Sequence, residues 1–189
     1  MTETGAPEER DYGRLERDHE RAIVCYTRRL PHPPSRVWRA LTEPEHLATW
    51  FPTTIDGERA AGARLIFRFA DMNLPPMEGE ILAFEPPSLL EFRWGPDLLR
   101  FELVPDDERT TLVFTATMEE FGKAARDGAG WHTALDLLAY ELSGEQPPVT
   151  SSERWHEVNG AYAERFGPEA SMIGPPEERE QTHGEIDSA

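Results

Sequence analysis

Residues 34–52 constrain the fold more than any other stretch of this chain. Val37, Trp38 and Leu41 recur at helical spacing behind Ser35, read here as the N-cap. Pro44 closes that turn and starts a second short helix carrying Leu47 and Trp50. Residues 22–30 read as a strand, cut off by Pro31, Pro33 and Pro34, which cannot donate ladder hydrogen bonds. Two short tandem helices therefore follow a first strand, with Trp38 and Trp50 as structural anchors rather than ligand contacts.

From Thr53 the apolar period changes to two. Strands are expected near 53–57 and over 64–70, 79–84, 89–94, 98–104 and 110–118, about seven with the first. The connections are too short for parallel crossovers, so the sheet is an antiparallel meander. Residues 130–143 carry Trp131, Leu135, Leu138 and Leu142 in one helical stripe. The chain is thus of the α+β class. Alternation puts Leu65, Phe67, Phe69, Phe92, Trp94, Phe101, Phe114, Ala116 and Met118 on one face, opposite Trp131, Leu135 and Leu138, without saying whether the space between is packed or open.

The order of these segments carries a resemblance. After the tandem helices come Gly62, a Leu65, Phe67, Phe69 strand, the run from Met77 to Pro87, and the run from Leu89 to Trp94. Over roughly residues 20–145 the chain resembles the SRPBCC, or START-like, superfamily, in its branch of activators of the heat-shock chaperone ATPase. The resemblance implies a helix-grip fold, a curved antiparallel sheet wrapped around a long C-terminal helix. It also implies that function sits between helix and sheet.

The reading divides the chain into an acidic disordered tail over 1–18, the START-like domain over 19–146, an appended helix over 147–167 and a second acidic tail over 168–189. That appended helix carries Trp155, Val158, Tyr162 and Phe166 and is expected to pack on the domain or to form a homodimer. With a net charge of −17 and no basic patch, the composition argues against nucleic acid or an anionic membrane surface as a partner. No apolar stretch is long enough to span a bilayer, and the charged start is unlike a signal peptide. A cytoplasmic protein is expected. Lys123 is the only lysine among 19 basic residues, a bias that hints at a bacterial, GC-rich source. Cys25 lies in an apolar strand and reads as an unreactive buried thiol.

No catalytic constellation, cofactor motif or metal site is recognised. His132 and Asp136 stand four apart, and His156 neighbours Glu157, but no second pair converges with either. His132 is placed at the start of the long helix near a pocket mouth, about 100° from Trp131 and therefore on the rim. Arg28, at a position where the branch often carries arginine, is the other polar candidate, able to take a carboxylate in two hydrogen bonds. These residues point first to binding of a small hydrophobic molecule, such as a lipid, polyketide or aromatic metabolite. An aromatase-, cyclase- or hydrolase-like enzyme on the same cavity is the second reading, and a chaperone-interacting stress protein the third.

Overall fold

A computed structural model describes residues 11–69 and 74–174. Eight strands form one antiparallel sheet: β1 (Arg14–Asp18), β2 (Arg21–Leu30), β3 (Thr54–Asp56), β4 (Arg64–Arg68), β5 (Met77–Glu85), β6 (Leu89–Trp94), β7 (Asp97–Asp106) and β8 (Arg109–Met118). Their spatial order is β1-β2-β8-β7-β6-β5-β4-β3, so β2 crosses over to pair with β8 while the remainder is a meander. The crossover holds the tandem helices α1 (Pro34–Thr42) and α2 (Pro44–Trp50). The long helix α3 (Ala124–Ser143) packs on the curved sheet and on α1 and α2, and α4 (Ser151–Phe166) packs along α3. This is the helix-grip arrangement expected from the sequence.

Prolines set the tandem helices. Pro34 and Pro44 each occupy the first helical turn, where a missing N–H costs nothing, and Pro33 rather than Ser35 is the N-cap. Trp50 is buried and donates its indole N–H to Ala40 O at 2.9 Å, which ties α2 back to α1. Trp38 is buried edge-on against Phe84 of β5, 5.2 Å between centroids. Both tryptophans are structural, as their spacing predicts.

The expected period-two faces are present. Val24, Tyr26 and Arg28 on β2 pair with Ala116, Phe114 and Leu112 on β8, and all six are buried beneath the helices. Arg68 and Arg93 point away and are exposed, and Arg100 pairs outward with Glu91 and Glu102 at 2.8 and 3.0 Å.

Three boundaries differ from the sequence reading. The N-terminal tail ends sooner, because Arg14–Asp18 pairs with β2 and makes an eighth strand. The long helix starts six residues before Gly130, at Ala124. At the other end a 3-10 turn over Glu169–Ser171 and the bond from Ile173 N to Gly122 O keep the chain on the domain beyond residue 168. The rest of both expected tails lies outside the described residues. Cys25 is half-buried rather than sealed.

Thr150 caps α4 through a capping box with Glu153. Gly144 ends α3 in the left-handed conformation, φ 75°, which a side chain adopts only at a cost. Gly128 lets α3 and α4 approach, since a Cβ there would stand 3.2 Å from the Tyr162 ring.

Candidate functional site

The space between α3 and the sheet is occupied by a continuous run of aromatic rings. Phe67, Phe92, Phe101 and Phe114 stack across the sheet at centroid separations of 6.0, 6.1 and 4.5 Å. Gly79 on β5 gives the Phe67 ring room to cross, for a Cβ there would lie 2.6 Å from it. Trp131 of α3 closes on Phe114 at 5.2 Å. Phe51, at the end of α2, meets Trp131 at 5.8 Å and Trp94 at 6.4 Å, and Trp94 meets Trp131 at 5.2 Å. Such tilted and offset ring pairs are the favoured aromatic geometries.

The proposed lining residues Leu65, Phe67, Phe92, Phe101, Phe114, Ala116, Met118, Trp131, Leu135 and Leu138 are all buried in one core. Phe69 and Trp94 are only half-buried. Phe69 falls just past the end of β4, so its alternation no longer fixes it to the inner face. The sequence reading leaves packed core and open pocket as alternatives, and the structure has the side chains in mutual contact. Surface depressions around Phe121 and around Tyr140 both lie outside the space between α3 and the sheet. Phe51 was missed from the set because it follows a helix rather than alternating along a strand.

One end of this core is polar but incompletely paired. Trp94 Nε1 and Thr53 Oγ1 are buried without a hydrogen-bond partner. Both flank Phe51, Thr53 two residues along the chain and Trp94 through its ring. Charges nearby are already paired. Asp97, opposite Trp94 in the β6–β7 register, takes both carboxylate oxygens to Lys123 Nζ at 2.9 Å and accepts the Glu119 N–H at 3.0 Å.

The second polar cluster lies where α3, α4, β2 and the chain before β1 meet. His132 is not at a pocket rim; it is wholly buried in mid-helix. The helical-wheel reading allowed α3 one buried face, whereas α4 covers the flank on which His132 stands. Gly13 N donates to the Tyr162 hydroxyl at 2.9 Å, and the same oxygen is hydrogen-bonded to His132 Nδ1 at 3.1 Å. His132 Nε2 lies 3.4 Å from both Asp136 Oδ2 and Arg154 Nη2. Arg154 of α4 donates to the same oxygen from Nη2 at 2.7 Å and Nε at 2.8 Å. The Tyr12 ring packs on His132 and Tyr162, 5.1 and 5.3 Å between centroids.

Arg28 belongs to this cluster rather than to an open pocket. Its Nη1 donates to the Asp11 carbonyl and its Nη2, without a hydrogen bond, lies 3.9 Å from Asp136 Oδ1. Burial raises the Asp136 carboxyl, but the His132 bond and Arg154 outweigh it and hold it below the usual carboxylate range. Burial pushes the Tyr162 phenol up to about 12 despite the Gly13 N–H. Tyr26, whose hydroxyl donates to Gly128 O at 2.6 Å, is raised as well, again chiefly by burial. The cluster locks the N-terminal segment and α4 onto the domain. His132 and Asp136 bond each other and Arg154, so they do not form an open metal pair.

Where α1 passes into α2, ligand atoms of Glu43, Glu45 and His46 lie within 4.8 Å of one another. Arg39 takes Glu43 in two bonds at 2.8 and 3.0 Å, and His46 Nδ1 meets Glu141 at 2.6 Å, which ties α2 to α3 as an ion-pair network. None of the helices among the described residues is long and apolar enough to cross a membrane.

This architecture recurs in solved structures. EF2215 from Enterococcus faecalis is 20% identical, with a TM-score of 0.68 over 86% of this chain and 92% of that one. CalU16 from Micromonospora echinospora is 24% identical, with a TM-score of 0.64 over 82% and 94%. DynU16, from the dynemicin biosynthetic locus, is 28% identical with a TM-score of 0.58, covering 65% of this chain but 48% of DynU16. No curated protein matches the chain. The family model described as Activator of Hsp90 ATPase homolog 1-like protein matches residues 31–143, which hold α1 and α2, β3 through β8 and all of α3. The chain therefore belongs to this SRPBCC-type family.

Proposed function

We propose that the protein binds a small hydrophobic molecule between α3 and the sheet, at the end where Phe51, Trp94 and Trp131 meet. The observation that carries this reading is the buried, unpartnered Trp94 Nε1, whose ring packs against Phe51 and Trp131, with a second unpartnered atom, Thr53 Oγ1, two residues beyond Phe51 in the chain. Buried polar atoms are nearly always hydrogen-bonded, so an orphan indole N–H in an aromatic setting is where a ligand oxygen gains most. Entry requires the three rings to part. Trp94 is half-buried and so stands at the edge of the core where parting is easiest. The place of DynU16 in a biosynthetic locus supports a small-molecule role.

Binding rather than catalysis fits the polar groups. His132, the acid–base candidate, is sealed behind α4 with both ring nitrogens engaged. A chaperone partner is suggested only by the family description. A homodimer through α4 would have to use its outer face, since Val158 and Tyr162 are buried within the chain. Native mass spectrometry of protein purified from its own host tests the proposal. An adduct of discrete mass that is displaced by an apolar aromatic probe is expected. Unliganded mass together with no uptake of any such probe would overturn it.

A further inference from the structure

The orphan indole N–H specifies the chemistry of the occupant. An indole N–H only donates, so the partner of Trp94 Nε1 must supply an acceptor. The surrounding surfaces are ring faces and edges from Phe51, Trp94 and Trp131, which favour a flat aromatic body over a flexible acyl chain. Charge argues against an anion. Asp97 sits opposite Trp94, and the cation beside it, Lys123, already spends its ammonium on both Asp97 oxygens. Arg28, the inward arginine, bonds the Asp11 carbonyl and faces Asp136 in the cluster beneath α4. Arg93, next to Trp94 in the chain, points to solvent on the opposite face.

We infer that the site takes a neutral, flat aromatic molecule carrying a carbonyl or equivalent acceptor oxygen, which receives the Trp94 indole N–H. The inference rests on the ligand-site reading above. Neither burying an anion beside Asp97 nor leaving the indole N–H unpaired is favourable, so a carboxylate and a plain hydrocarbon should both bind less well than a ketone.

Three naphthalenes of similar size test this by titration calorimetry: 2-acetylnaphthalene, 2-ethylnaphthalene and 2-naphthoate. The ketone is expected to bind the parent about tenfold more tightly than the hydrocarbon, equivalent to about 1.4 kcal/mol, and more tightly than the carboxylate. Trp94→Phe keeps an aromatic ring and removes the donor; it should abolish the ketone's advantage over the hydrocarbon, whatever change in affinity the smaller ring brings to both. Equal binding of ketone and hydrocarbon to the parent, a preference that survives in Trp94→Phe, or tightest binding of the carboxylate would overturn this inference and leave the ligand site standing. Failure of all three to bind the parent would overturn the ligand-site reading and this inference with it.

Discussion

The Tyr162 hydroxyl stands 3.1 Å from Nδ1 of His132, joining α4 to α3 across 30 residues, and the same oxygen accepts the backbone N–H of Gly13. One atom thus fastens three parts of the chain. Its partners are buried, so its loss leaves two polar groups without either protein or water.

Tyr162→Phe is therefore expected to fold but to lose about 1–3 kcal/mol, the penalty of stranding buried hydrogen-bonding groups. For a domain of this size that is a fall of several degrees in melting temperature. An unchanged melting curve would mean that the hydroxyl bonds are not maintained in solution.

Alkaline pH probes the same residue. Its phenol has an ordinary value of 10.0 and is pushed up to about 12 in the fold, mainly by burial. A raised phenol stabilises the fold fully below pH 10, and the gain is lost as pH rises from about 10 to 12. Chemical denaturation at pH 8 and pH 11 should show a steeper loss for the parent than for Tyr162→Phe. Parallel losses in the two proteins would contradict the assignment.

Asp136 behaves in the opposite sense, because its folded value is depressed. Its stabilisation is full above the unfolded carboxylate value near 4 and lost as pH falls through the folded value. Asp136→Asn leaves Arg28 without its anion and Arg154 with Glu157 alone. It should cost about 2–3 kcal/mol at pH 7, less than a wholly sealed pair because the partners are about one-fifth exposed. The variant's acid unfolding should begin from lower stability but run shallower, measured by denaturation between pH 7 and 3.

Much of this was legible in the sequence, for identifiable reasons. The tandem helices announced themselves through Pro34, Pro44 and the spacing of Val37, Trp38 and Leu41, and strands β6 to β8 alternate cleanly. β1 was hidden because four of its five residues are exposed, so Arg14–Asp18 has no apolar rhythm and reads as solvated tail. The first turns of α3 were hidden because Ala124, Ala125, Gly128 and Ala129 are small and bracket charged residues. Their burial comes from close approach of α4 at Gly128 rather than from bulk. His132 looked like a rim residue because the second covering helix could not be placed from the sequence. The orphan state of the Trp94 indole is a three-dimensional fact with no trace in residue order.

Truncation separates the tail from the strand. Removing residues 1–18 deletes Tyr12, the Gly13 N–H, the Asp11 carbonyl that receives Arg28, and all of β1. It should lower the melting temperature by roughly ten degrees or more, since several buried groups lose partners together. Hydrogen exchange should show the loss of protection spreading to α4. A melting temperature equal to the parent's would restore the view that this whole segment is tail.

The most direct measurement follows the indole N–H signals of the five tryptophans by nuclear magnetic resonance while 2-acetylnaphthalene is added. Trp50 and Trp155 are built-in controls, because their Nε1 atoms already donate to Ala40 O at 2.9 Å and Arg126 O at 3.2 Å. The account predicts that the Trp94 signal moves strongly downfield as it gains an acceptor and that Trp131 shifts through ring contact. The signals of Trp50 and Trp155 should stay in place. Saturating addition that leaves Trp94 unmoved, or that moves Trp155 instead, would contradict a ligand site between α3 and the sheet.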